Sequence, residues 1–310
     1  MRGNQSWITE LILLGFQLSA EMEVLLFWAF SLLYVFSLMA NGMILGLIYL
    51  DPRLHTPMYF FLSHLAVIDI SYASSILPSM LENLVKHEKT MSFISCIIQM
   101  NLVLTLAITE CMILVAMSYD RFVAICHPLQ YTVIMNWRVC TVLAVTSWAC
   151  GFFLALINLI LLLRLPFCRP QEVNHFFCET LSVLKLACAD TGTSKNFLFA
   201  GGVFVLVGPL SLIILSYLRI LWTILKIQSK EGRKKAFYTC SSHLCVVGLY
   251  FGIAMMVYLV PENSQQQEQQ KVLTLFYSVF NPLLNPLIYS LRNDQVKGAF
   301  YRALRKKRTM

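Results

Sequence analysis

Ionisable side chains are rare inside the long apolar stretches of this chain, and three places stand out. Asp69 lies within LSHLAVIDI, Glu110 within LAITECMIL, and Asp120 and Arg121 are adjacent in MSYDRFVAIC. A carboxylate in apolar surroundings needs a proton, a cation or a hydrogen-bonding partner. If Asp69 and Glu110 converge with Asn285, the two carboxylates repel unless a proton or a sodium ion is shared between them. The simpler alternative is a protonated, hydrogen-bonded pair that only fixes helix register. Calcium would require more oxygens and zinc a His/Cys cluster. His175-x-x-Cys178 is a single pair of that kind, and one pair is not a site. No other cofactor is expected. Asp120–Arg121 reads as an interfacial pair reaching for lipid headgroups, although few membrane helices end with Asp-Arg after an aromatic, with a helix-breaking Pro128 just beyond. Nothing resembles a nucleophile–base constellation or a Gly-rich phosphate loop, so no enzyme is expected.

The elements that must position these groups follow from hydropathy. The chain is 58% hydrophobic and only 13% charged, against roughly 25% charge in a soluble domain. Seven apolar runs reach the ~20 residues that span a bilayer, at about 24–50, 57–84, 96–123, 139–163, 196–225, 236–260 and 272–291. Short connections make one all-α seven-helix bundle over 1–310. No repeat between halves supports alternating access, which disfavours a transporter or channel.

Basic residues set the orientation. Most of the 24 lie at one face, in the loops with Arg53, Arg138 and Lys226–Lys235 and in the tail 292–310. That face is expected to be cytoplasmic and residues 1–23 outside. The net charge of +8 is thereby explained without a nucleic-acid partner. The sequon Asn4-Gln5-Ser6 falls outside, with Asn4 as its glycosylation site. Cys96, Cys168, Cys178 and Cys188 do too, where disulfides persist; spacing alone leaves their pairing open. The apolar run Leu11–Phe16 is short and flanked by acids, and is read as an uncleaved segment. In the tail, Val296, Phe300 and Leu304 recur every four residues opposite Lys297, Arg302 and Arg305, the pattern of a short interfacial amphipathic helix.

Several strings, taken in order, resemble one family. LHTPMYFFLSHLA, MSYDRFVAICHPLQY, HFFCE, Ser216-Tyr217, KAFYTCSSHL and PLLNPLIYSLRN are similar to the mammalian olfactory receptors of the tetrapod-type class, within the rhodopsin-like G-protein-coupled receptors. The resemblance runs from about Asn4 to the C-terminus. It implies disulfides Cys96–Cys178 and Cys168–Cys188. It also implies that Asp120 holds Arg121 at rest, and that Arg121 moves toward Tyr217 and Tyr289 when the sixth helix swings outward. His243, Asn285 and Pro286 belong to the same coupling set. The implied partners are a small odorant, membrane lipid and a stimulatory heterotrimeric G protein that raises cyclic AMP, at the plasma membrane. A receptor for an internal metabolite would share the fold.

The residues expected to face a ligand are Met100, Val103, Leu104, Ala107, Ile108, Gly202, Val205, Leu206, Phe251, Ala254, Met255, Tyr258, Leu275 and Ser278. The set is nearly all apolar, with Tyr258 and Ser278 as orienting hydroxyls, which favours a small uncharged molecule. The chain departs from the family pattern at Ser118, Phe122 and Tyr238, where Ala, Tyr and Ser are common.

Overall fold

The computed structural model describes residues 9–308 apart from 17, 87–88, 168–171, 189–190, 227, 260–266 and 292–293. Seven helices are long and apolar enough to cross a membrane. They are α1 (Ala20–Leu50), α2 (Pro57–Val85), α3 (Phe93–Cys126), α4 (Trp137–Leu163), α5 (Gly192–Leu225), α6 (Lys230–Tyr258) and α7 (Gln267–Leu291), followed by a shorter α8 (Asp294–Arg308). Most of these helices extend past the apolar runs that announce them. The reason is local: polar turns still close backbone hydrogen bonds, so α6 begins in the basic run at Lys230 and α7 at Gln267. Starts are set by capping. Ser92 accepts from the Ser95 amide at 3.1 Å, Asn136 from Val139 at 3.1 Å and Ser229 from Gly232 at 3.2 Å, while Pro57 occupies the first turn of α2.

The core runs between the helices, with α3 buried on most faces and α1 and α4 far less so. The outside carries Trp28, Leu32, Phe204 and Trp222, each more than half exposed. An apolar surface of that extent is a lipid-facing one. Gly151 lets α4 approach α3 closely: a Cβ there would stand 2.2 Å from Thr109 Oγ1 and 2.6 Å from the Thr105 carbonyl oxygen.

One end of the bundle carries a small sheet that the all-α expectation did not include. Strand β1 (Glu10–Leu13) lies between β2 (Thr90–Ser92), antiparallel with Glu10 opposite Ser92, and β3 (Glu172–Val173), parallel with Ile12 opposite Glu172. The apolar run beginning at Leu11 thus has a structural use. Leu11 and Leu13 alternate inward and are fully buried, packed with Val173, Val183, Leu184 and the Cys96–Cys178 disulfide. At the other end α8 lies against the bundle, with Val296 and Ala299 buried and Phe300 half out. Arg302 is turned back onto Asp51, Nε to Oδ2 at 2.9 Å, and the guanidinium holds that carboxyl below its ordinary range. The side chain of Leu304 lies outside the described residues, as do Asn4 and Cys168.

Candidate functional site

Three carboxyl and amide residues from different helices meet in the middle of the bundle, as the spacing of ionisable groups anticipates. Asn285 on α7 donates from Nδ2 to Asp69 Oδ1 and Oδ2 at 3.1 and 3.2 Å and to Glu110 Oε1 at 3.2 Å. Asn281, one turn earlier, donates to the same Glu110 oxygen at 2.8 Å. All four side chains are buried. Asn281 is absent from the sequence reading, although the doubled Asn-Pro in NPLLNP places it four residues before Asn285 on the same helix face. The Asn285 Oδ1 atom is buried with no hydrogen-bond partner among the described residues.

The same segment explains Asn41. Pro286 has no amide hydrogen, so the Pro282 carbonyl four residues earlier loses its helical donor. Asn41 Nδ2 of α1 fills that place at 2.8 Å, and Ser37 Oγ adds a longer contact at 3.3 Å. The proline break in α7 therefore becomes a hydrogen-bonded joint between α1 and α7.

Toward the α8 end, Arg121 lies on Asp120, with Nη2 and Nε at 2.6 and 3.1 Å from Oδ2. Asp120 is fully buried and its other oxygen accepts from the Tyr131 hydroxyl at 2.7 Å. Tyr131 belongs to a short helical turn, Tyr131–Ile134, between α3 and α4; burial and the neighbouring Asp120 carboxylate push its phenol pKa up. On the facing helices, Tyr217 OH and His243 Nδ1 are 2.8 Å apart, and His243 Nε2 is 3.1 Å from the Leu114 carbonyl. A carbonyl can only accept, so Nε2 carries the hydrogen and, in the neutral ring, Nδ1 accepts from Tyr217. The Tyr289 hydroxyl is buried and has no hydrogen-bond partner among the described residues.

Toward the sheet end, a cavity of about 100 Å³ lies between α3, α4, α5, α6 and α7. Of the residues expected to face a ligand, Leu104, Ala107, Ile108, Gly202, Val205, Leu206, Ala254 and Tyr258 line it. Tyr250, Tyr277 and Asn158 line it as well and were missed; aromatic and amide residues on several helices cannot be assigned to one cavity without helix rotations. Met100 packs instead beside the Cys96–Cys178 disulfide. Val103, Phe251, Met255 and Leu275 join the main packed core, and Ser278 is fully buried outside the lining. The Tyr250 and Tyr277 rings, 5.6 Å apart, separate the cavity from the polar cluster. Tyr277, Asn281, Asn285 and Tyr289 follow at four-residue intervals along α7, one face of a helix running from the cavity toward Arg121.

The segment between α4 and α5 forms a lid over this end and holds His175, buried, tilted against Phe176 and edge-on to Phe177 with centroids 4.5 and 4.7 Å away. Burial, with Lys271 and Lys185 nearby, lowers its pKa to about 3. Cys178 is consumed by the bond to Cys96, so the His-x-x-Cys pair offers no thiolate. No group of three or more His, Cys, Asp or Glu side chains that could hold a metal occurs among the described residues. Cys188 is also disulfide-bonded.

Comparison with known sequences agrees with this geometry. Residues 30–307 match the sequence profile of the olfactory receptor family. The whole chain aligns with human Olfactory receptor 2A2 at 66% identity, covering 98% of that protein, and with human Olfactory receptor 2A5 at 66%, covering all of it. Mouse Olfactory receptor 2A7 is 60% identical over its full length. With seven apolar helices, the disulfide tying α3 to the lid, and family identity along the whole chain, the protein belongs to the olfactory receptors, of the rhodopsin-like G-protein-coupled type.

Proposed function

We propose that the chain is an odorant receptor whose inward cavity takes a small, uncharged, apolar molecule and whose Asp120–Arg121 pair governs a stimulatory G protein. The observation that carries this reading is adjacency. Ala107 lines the cavity and Glu110 lies one turn further along α3, bonded to the α7 ladder that leads to Tyr289. An apolar ligand bearing on Tyr250 and Tyr277 can thus bias the packing of α6 and α7 against α3. Tyr258 and Asn158 are the polar groups that could orient it. A cavity of 150 Å³ holds benzene, so about 100 Å³ selects compact ligands unless side chains yield.

In this reading the Arg121–Asp120 contact and the Tyr217–His243 contact are the resting arrangement. Activation would free Arg121 toward Tyr217 and Tyr289 and open the α8 end to the G-protein α-subunit, raising cyclic AMP. The sheet end faces outside the plasma membrane and the α8 end the cytoplasm, in keeping with the basic residues around Lys230 and Arg302. The oxygens of Asp69, Glu110 and Asn285 suit a shared proton or a hard cation such as sodium, and the unpartnered Asn285 Oδ1 is the atom such an ion would satisfy.

The test is cyclic AMP in cells exposed to a panel of small apolar odorants, with Arg121→Ala as the comparison and surface staining of both. A response in the parent chain and none in a surface-exposed Arg121→Ala supports the reading. A response that survives in the variant removes Arg121 from coupling.

A further inference from the structure

The sheet end of the bundle is covered by two segments that are fastened differently on their two sides. A strap of residues 10–16 and the lid are first joined to each other. Beyond the β1–β3 pair, the Leu14 amide donates to the Val173 carbonyl at 3.0 Å and the Gly15 amide to the His175 carbonyl at 3.1 Å, and Phe16 stacks on Phe176. Toward α3 this plate is held by β2, by the Cys96–Cys178 disulfide and by Gln99, whose Oε1 accepts from the Cys178 amide at 3.0 Å. Toward α7 the contact is non-covalent and made by a side chain. Lys271 Nζ donates to Asn174 Oδ1 of the lid at 2.7 Å and to the Gly15 carbonyl of the strap at 3.3 Å. Lys271 is buried, and Gly15 has φ 60, a left-handed turn that glycine takes without strain.

Beside this contact lies an outer cavity, whose lining includes Asn174, His175, Val257, Lys271 and Thr274. Val257 is three residues beyond Ala254 on α6, and Thr274 three residues before Tyr277 on α7. The outer cavity therefore stands about one helical turn above the ligand cavity on both helices. Lys271 lines the outer cavity and not the inner one.

We infer that Lys271 is the clasp of an aqueous gate: when it lets go of Asn174 and Gly15, strap and lid swing about the Cys96–Cys178 side and open the ligand cavity to the outer solution. Lys271 is a positioning residue, acting through the lid, and this role rests on the reading of the inner cavity as the odorant site. The asymmetry of the fastening carries the inference. A disulfide and a strand pair do not part at ordinary thermal energies, whereas two hydrogen bonds from one side chain do, so the plate opens on the α7 side. A clasp that touches the lid and not the ligand changes entry and exit by the same factor and leaves the affinity as it was.

The experiment needs no odorant. Ala254→Cys puts a thiol in the wall of the ligand cavity of the full-length receptor, and a quaternary-ammonium methanethiosulfonate, which does not cross lipid, is added outside intact cells. Labelling at position 254 is followed by mass spectrometry. Lys271→Met, which keeps the stem and removes the donors, is expected to speed that labelling about tenfold, the worth of a hydrogen bond to a charged group. Lys271→Arg, which keeps charge and donors, should stay close to the starting rate. In the purified receptor, hydrogen exchange at residues 10–16 and 172–176 should rise in Lys271→Met, while that at 105–109, packed against α4, should not. Equal labelling with and without Lys271→Met overturns the clasp, and so does faster labelling with faster exchange at 105–109, the mark of general loosening. Should Lys271→Met not reach the surface, Asn174→Leu removes the lid's acceptor and is read by the same two outcomes. A silent odorant panel counts against the proposed ligand and leaves this result untouched.

Discussion

The cavity and the polar ladder are one helical turn apart on α3, yet they are built on opposite rules. Around Ala107, Val205 and Leu206 the side chains are aliphatic and non-directional, and the hydrogen bonds there, from Tyr250 to the Ala107 carbonyl and from Cys111 to the Val205 carbonyl, hold backbone and not the wall's side chains. Around Glu110 each buried amide points at a named oxygen, and Asn285 alone serves two carboxyl groups on two helices. Aliphatic walls tolerate substitution at small cost, whereas a half-satisfied buried polar network costs more than none. The difference separates what selects a ligand from what holds the helices in register, and it can be broken at four places.

The largest effect is expected at Asn285→Leu, which keeps the volume but strips the amide from both carboxyl groups. Leaving them without that donor should cost about 3 kcal/mol, seen as a lower unfolding temperature in detergent and reduced surface expression. Asp69→Asn, which removes a like charge, should be milder. A variant at Asn285 that melts with the parent protein would show that the ladder is not a stabilising network.

Gly151→Ala comes next and tests how tightly the scaffold behind the cavity is set. Thr109 can turn its hydroxyl away from a new Cβ, but the Thr105 carbonyl at 2.6 Å is backbone and cannot. Moving α4 off α3 should cost about 2 kcal/mol. The double variant with Thr109→Ala should recover only part of that stability; full recovery would mean that the side chain alone sets the limit.

Leu206→Ala probes the aliphatic wall itself. It enlarges an existing cavity, so folding should suffer less than at Asn285, while the dose–response shifts toward odorants longer by one or two methylenes. About tenfold is the expected change in relative potency. A uniform loss for short and long ligands alike would place Leu206 in packing and not in selection.

How much of this was legible in the sequence follows the same division. Apolar runs announce helices because a bilayer leaves the backbone no alternative, and Asp69 and Glu110 stand out because charge is costly there. Helix ends were less legible, since capping by Ser229 and polar turns carry α6 beyond its apolar run. The sheet was hidden because β1 is four residues long and pairs with residues about 80 and 160 positions away. Ser278 and Phe251 were placed toward the ligand on helical spacing, but a few tens of degrees of helix rotation decide between lining and core. Gly151 carries no signal at all until α3 is brought beside it.

His175 in the lid extends the comparison to a titrating group, and its effect should be the smallest. Its ring is buried and neutral, with Nδ1 facing the Phe177 amide at 3.4 Å. A pKa lowered to about 3, against about 6.5 in an unfolded chain, means that the unfolded state binds the proton more readily between those values. The contribution of the neutral ring is therefore complete above pH 6.5 and declines as the pH falls toward 3. At pH 6 the loss should be roughly 1 kcal/mol. Thermal unfolding of the parent protein and His175→Gln across pH 7.5 to 5.5 isolates it, because carboxylates common to both cancel in the difference. The parent should lose its advantage over the variant as the pH drops. Parallel curves would mean that the ring reaches water readily, and that the lid over the cavity is looser than the ladder beneath it.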